Sequence, residues 1–109
     1  MIEKSQLVEM FEGMRAQAPW DVDSDLLWGY FFTGDDRAAL DRLSKKLVSL
    51  KYRLVELRPD ENQEGYWLHV ERVETHSADS LHARNQQLYQ MADEYSVNYD
   101  GMDVGAPPA

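Results

Sequence analysis

The chain has 109 residues, 43% hydrophobic and 11% aromatic, enough for one domain with its own core and too apolar for disorder over most of its length. It lacks cysteine, which excludes disulfides, thiolate metal sites and thiol nucleophiles. Its 20 acidic residues against 11 basic ones give a formal net charge of -9, which repels phosphate backbones and anionic membranes and steers basic partners inward, although solubility alone accounts for the same balance equally well.

The N-terminal MIEKSQLVEMFEGM is broken by charges every few residues, so it has neither a signal-peptide core nor an apolar span of about 20 residues, and a cytoplasmic protein is expected. Within residues 2 to 16, Leu7, Met10 or Phe11, and Met14 recur at three-to-four spacing between charged residues. This predicts an amphipathic helix, weakened in its last turn by Gly13 and stopped by Pro19. Next comes DVDSDLLWGYFFTGDD at 21 to 36. Leu26, Trp28, Tyr30 and Phe32 alternate with Leu27, Gly29 and Phe31, a pattern too apolar and aromatic for a surface helix and fit for a central strand.

Asp35 and Asp36 then supply a turn and an N-cap, and Leu40, Leu43, Leu47 and Leu50 follow at helical spacing with Asp41, Arg42, Lys45 and Lys46 outside. YRLVELR at 52 to 58 and YWLHVERVE at 66 to 74 alternate around the polar cluster PDENQEG, which predicts a hairpin. Ser77 can cap a helix near 78 to 95, where Leu81, Asn85, Leu88, Met91 or Ala92, and Tyr95 share a face. A short strand VNYD closes the pattern, with Val97 and Tyr99 inward, Asp100-Gly101 as the turn that ends it, and GAPPA as a free tail.

The order strand, helix, strand, strand, helix, strand, with right-handed crossovers, is that of an α+β ferredoxin-like split βαβ sandwich, βαββαβ. It predicts a four-stranded antiparallel sheet with two helices on one face, preceded by an N-terminal helix. Residues 1–20 form that helical segment, 25–105 the sandwich and 106–109 a flexible tail. Alternation turns Leu68 and Val70 to the helices and leaves Trp67, His69 and Glu71, with Phe31, on the other face. An aromatic cluster there calls for a covering N-terminal helix, a second copy of the chain or a binding partner.

Motifs for other chemistry fail on specific positions. Asp21, Asp23 and Asp25 start like a calcium loop, but Leu26 and Phe32 stand where glycine and a bidentate glutamate are needed. His69, His76 and His82 have no metal-binding frame and read as surface or partner-facing residues. No serine sits in GxSxG, and no glycine run cradles phosphate. The carboxylates Asp35, Asp36, Asp60 and Glu61 fall in turns or caps. Neither catalysis nor a cofactor or metal is therefore expected. The RNP1 pattern is missing, and with Glu71 on the aromatic face direct nucleic-acid binding is not expected either.

TGDDRAALDRL at 33 to 43, LVSLKYRLVEL at 47 to 57 and NQQLYQMADEYSVNYDGMDVG at 85 to 105 carry a resemblance. Its most specific part is a helix ending in Ala92-x-x-Tyr95, then a strand running into Tyr99-Asp100-Gly101. From Asp25 onward the chain resembles the bacterial regulator of ribonuclease activity B family, the ribonuclease E inhibitor domain. Met102 stands where characterised members have tryptophan, and GAPPA where they carry a long acidic tail. The resemblance implies a ferredoxin-like, cytoplasmic, non-enzymatic protein that binds ribonuclease E and dampens RNA cleavage by altering its assembly.

The leading expectation is thus a regulator that binds ribonuclease E or another basic protein segment, with Phe31, Trp67, His69, Glu71, Asp100 and Asp103 as candidate contacts. The alternatives are a ferredoxin-like small-ligand or dimerisation module without a nuclease role, and an acidic immunity or antitoxin protein.

Overall fold

A computed structural model of the chain describes residues 1–61 and 64–106. Part of the PDENQEG loop and most of the expected tail lie outside the described residues. Helix α1 spans Lys4–Gln17 and opens with a reciprocal capping box, in which the Glu3 backbone N–H donates to Gln6 Oε1 at 2.7 Å. It ends where the chain turns extended at Ala18, as the following Pro19 requires. Strand β1, Leu26–Gly34, drives Leu26, Trp28, Tyr30 and Phe32 fully into the core. Helix α2, Arg37–Ser49, is capped by the Asp36 carboxylate, which accepts from the Ala38 N–H at 3.0 Å.

Leu40, Leu43 and Leu47 are buried as their spacing predicts, but Leu50 is not: it is the C-cap and 41% exposed. The chain leaves α2 through Lys51 at a φ of 78°, and Tyr52 enters the core in place of Leu50. Strands β2, Arg53–Pro59, and β3, Tyr66–Glu74, form the expected hairpin. Ser77 caps α3, Ala78–Glu94, whose Leu81, Asn85, Leu88 and Ala92 are buried.

The last strand, β4, runs from Asn98 to Gly105. Asp100-Gly101 is therefore not the turn that ends it. Phe32 pairs with Tyr99 and Phe31 with Gly101, so Asp100 is the extra residue of a β-bulge, and Gly101 takes a φ of +118° that a side chain would strain. Past the bulge, Met102 and Val104 rejoin the register opposite Tyr30 and Trp28.

The sheet order is β2-β3-β1-β4, and every neighbouring pair is antiparallel. This is the α+β arrangement read from the sequence, with β1 and β3 central. Leu68 and Val70 of β3 join the β1 residues beneath the helices. Each such fully buried side chain contributes about 1.5–3 kcal/mol.

Helix α1 joins this same layer. It packs along α3, where the Ile2 N–H donates to the Tyr89 hydroxyl at 3.0 Å and Lys4 pairs with Asp79. Leu7 and Phe11 are buried, and the Phe11 ring meets Trp28 at 6.0 Å. The N-terminal helix thus leaves the other face of the sheet uncovered, because its apolar stripe is used on the core side.

Candidate functional site

The outer face of the sheet is set by the two-residue period of the strands. β1 presents Leu27, Gly29, Phe31 and Thr33; β3 presents Trp67, His69, Glu71 and Val73. Phe31 lies opposite His69 in the register, and the hydrogen-bonded neighbours of β1 and β3 bring three rings together. Phe31 stacks on Trp67 with centroids 5.2 Å apart and on His69 at 4.5 Å, and Trp67 meets His69 at 5.6 Å. All three rings remain partly exposed.

Charged residues from the edge strands frame these rings. From β2, the Arg58 guanidinium lies over the Trp67 ring at 4.4 Å and pairs with Glu56 at 3.0 Å. Arg53 Nε meets Glu71 Oε1 at 2.7 Å. From β4, Asp103 pairs in register with Gly29. A methyl group on Gly29 would stand 2.5 Å from Asp103 Oδ1 and 2.8 Å from His69 Nε2, so both heads lean over the bare glycine. No hydrogen bond or ion pair joins the two, and neither atom has another polar partner among the described residues. A cavity of about 220 Å³ opens here, lined by Leu27, Gly29, His69, Glu71 and Asp103.

Of the residues singled out in the sequence, Phe31, Trp67, His69, Glu71 and Asp103 thus share this face, while Asp100 sits exposed at the bulge. Arg53 and Arg58 complete it and escaped the sequence reading. Alternation alone hides one of them, because residues five apart in a strand face opposite ways; a register shift between Leu54 and Glu56 lets Arg53 stand beside Glu71 and Arg58 beside Trp67 on the same face. Beyond Thr33, the acidic residues Asp35, Asp36, Asp60 and Glu64 gather around a polar cavity at this end of the sheet.

The inner face holds a second polar group, centred on Glu74. Arg72 Nε and Arg84 Nη2 approach its Oε1 at 3.2 and 3.0 Å, as ion pairs and not as aligned hydrogen bonds. Its Oε2 accepts from the Tyr30 hydroxyl at 3.0 Å and meets His76 Nε2. Burial pushes the Glu74 carboxyl up, but the hydrogen bond from His76 and the charge of Arg84 outweigh it, and the carboxyl lies below its ordinary value. Burial, reinforced by Glu74, drives the Tyr30 hydroxyl far above its usual range, so it stays a donor.

His76 is 6% exposed and bonds Ser80 Oγ at 2.9 Å through its other nitrogen, which corrects its reading as a surface or partner-facing residue. The reason is its place: it follows β3 directly and faces the edge of Trp28 at 5.2 Å. Arg72 and Arg84 also flank the Tyr52 ring, at 5.2 and 5.6 Å, and the Tyr52 hydroxyl accepts from Arg84 at 2.6 Å. This arrangement sets opposite charges against each other within the fold and ties β3 to α3.

Among the described residues, no three His, Asp or Glu side chains are placed to hold a metal ion, and no helix is long and apolar enough to cross a membrane. The outer face instead offers rings, mixed charge and open acceptors, a chemistry of recognition.

Comparison with curated proteins finds no match for the chain. Comparison with protein families matches residues 5–104 to regulator of ribonuclease activity B, from the first turn of α1 to the end of β4. With nearly every residue of all seven elements inside that match, the chain belongs to the regulator of ribonuclease activity B family, whose name is that of regulators of ribonuclease activity.

Proposed function

We propose that the chain is a non-enzymatic cytoplasmic regulator that binds ribonuclease E through the outer face of its sheet and lowers RNA cleavage by altering the assembly of the nuclease. The observation that carries this reading is the position of α1. It packs on the helix layer, so among the described residues no element of the chain covers the Phe31, Trp67 and His69 rings. Partly exposed rings framed by paired charges have the make-up of interface anchors, where aromatic residues and arginine dominate binding energy.

The charge of the chain supports the choice of partner. A formal net charge of -9, with acidic residues beyond Thr33 at the end of the aromatic strip, favours a basic and flexible segment of the nuclease over RNA itself. Phe31, Trp67 and His69 supply apolar contact, and Glu71, Asp100 and Asp103 supply charge.

The test is calorimetric titration of ribonuclease E with the full chain at several salt concentrations. A complex that weakens as salt rises is expected. Absence of any complex at low salt would overturn the reading, and a chain that self-associates through this face instead would support the dimerisation alternative.

A further inference from the structure

We infer that the clasp over Gly29 is an anchor for one arginine side chain of a basic protein partner, seated between Asp103 and His69. This rests on the proposed partner binding and locates its most specific contact.

The geometry begins with a missing side chain. Gly29 lies in the middle of a central strand with an ordinary negative φ, so no backbone strain calls for glycine there. What calls for it is space: a Cβ would collide with Asp103 Oδ1 at 2.5 Å and His69 Nε2 at 2.8 Å. Two polar atoms are thereby aimed at one point from the strands on either side of β1, and Nε2 is an acceptor in the imidazole tautomer that carries its proton on Nδ1.

Their neighbours do not satisfy them. Glu71, the other carboxylate of the cavity, is occupied by Arg53 at 2.7 Å, whereas Asp103 is exposed and has no ion pair among the described residues. A metal ion lacks a third ligand there, since no group of three acidic or histidine side chains comes together among the described residues. A donor that spans both atoms is required. The guanidinium group has five N–H donors in a rigid plane and can reach a carboxylate and an imidazole nitrogen at once. An ammonium is a compact, strongly hydrated point charge and matches such a fork less well.

The surroundings favour the same choice. The His69 ring continues into the Phe31 and Trp67 stack, and Arg58 already lies over Trp67 at 4.4 Å. The face therefore accepts a guanidinium on an aromatic surface within its own chain. The cavity of about 220 Å³ at the clasp gives the stem of the incoming arginine a place against Leu27.

The experiment measures fluorescence anisotropy of labelled hexa-arginine and hexalysine peptides with the full chain at low salt. The wild type is expected to prefer the arginine peptide at least fivefold. Asp103→Asn removes the charge, and Gly29→Ala fills the clasp by pushing aside the ends of two flexible side chains; each is expected to lower arginine-peptide affinity about tenfold and erase the preference, with thermal unfolding of Asp103→Asn unchanged.

Equal affinity of the wild type for both peptides, or full arginine affinity in Asp103→Asn, would overturn the inference. Should Gly29→Ala not fold, Asp103→Asn decides alone. The same variants titrated with ribonuclease E separate the two claims. Undiminished nuclease binding by Asp103→Asn removes the anchor and leaves the nuclease reading intact. A wild type that selects arginine but ignores ribonuclease E keeps the anchor and removes the nuclease.

Discussion

Strand β3 carries charged and ring side chains on both of its faces and treats them in opposite ways. Inward, Glu74 has Arg72, Arg84, Tyr30 and His76 around its two oxygens. Outward, among the described residues, Glu71 has Arg53 alone, and the His69 ring has stacking partners but no hydrogen bond to Nε2. The difference follows from solvent. A buried carboxylate must find its partners within the fold, because an unmet charge there costs several kcal/mol, whereas a group at the surface can wait for water or a partner. The inner carboxylate is therefore surrounded by partners of its own fold, even though Glu74 Oε1 is held by charge and not by aligned hydrogen bonds, and the outer face has acceptors to offer.

The largest expected effect is on the inner side. Glu74→Ala leaves two guanidinium groups and a buried tyrosine hydroxyl without their acceptor, and should destabilise the chain by about 3–5 kcal/mol in urea unfolding. A loss no larger than that of a surface pair would mean that the inner partners of Glu74 do not hold the fold. Acid titration tests the same carboxylate. The Glu74 carboxyl is held below its ordinary value of 4.5 in the folded chain, so its contribution is present above that pH and is lost as pH falls through the lower folded value. Glu74→Gln should lack that part of the acid-side loss, seen as a flatter stability profile below pH 4.5.

Next in size comes the bulge that lets β4 continue beneath α3 after Asp100. Gly101→Ala meets no atom within 4 Å, so its cost is conformational alone, about 1–3 kcal/mol from a φ of +118°. Thermal unfolding of this variant should report the cost; an unchanged midpoint would mean that the bulge relaxes freely. Trp67→Ala belongs to the outer side and should weaken ribonuclease E at least tenfold, about 1.4 kcal/mol, in calorimetric titration. The smallest effect falls on Glu71→Ala. Its partner Arg53 is 75% exposed, so unfolding should show a change of about 1 kcal/mol or less.

The periodic elements were legible because their apolar residues repeat. Leu40, Leu43 and Leu47 marked α2, and the alternation from Leu26 to Phe32 marked β1. The outer face was legible for the same reason: once Leu68 and Val70 point inward, Trp67 and His69 must point outward. The same rule also sends Arg72 and Glu74 inward, and there polarity concealed the answer, since period alone does not name partners from α3 such as Arg84. The bulge was hidden by its own composition. Asp-Gly is a strong turn signal, and only pairing with β1 turns it into an irregularity within a longer strand. The seat of α1 depends on which side of the sheet its stripe of Leu7 and Phe11 meets, a tertiary choice that no local pattern encodes.

The two faces carry their own reporters. Trp28 is buried with its Nε1–H donating to the Glu74 carbonyl at 3.2 Å, and Trp67 lies in the outer aromatic stack. Their indole N–H resonances, followed by NMR as ribonuclease E is added to the full chain, test the central claim most directly. Binding through the outer face predicts that the Trp67 indole moves or broadens early in the titration while the Trp28 indole keeps its position. A complex that forms with the Trp67 indole unmoved would contradict the account.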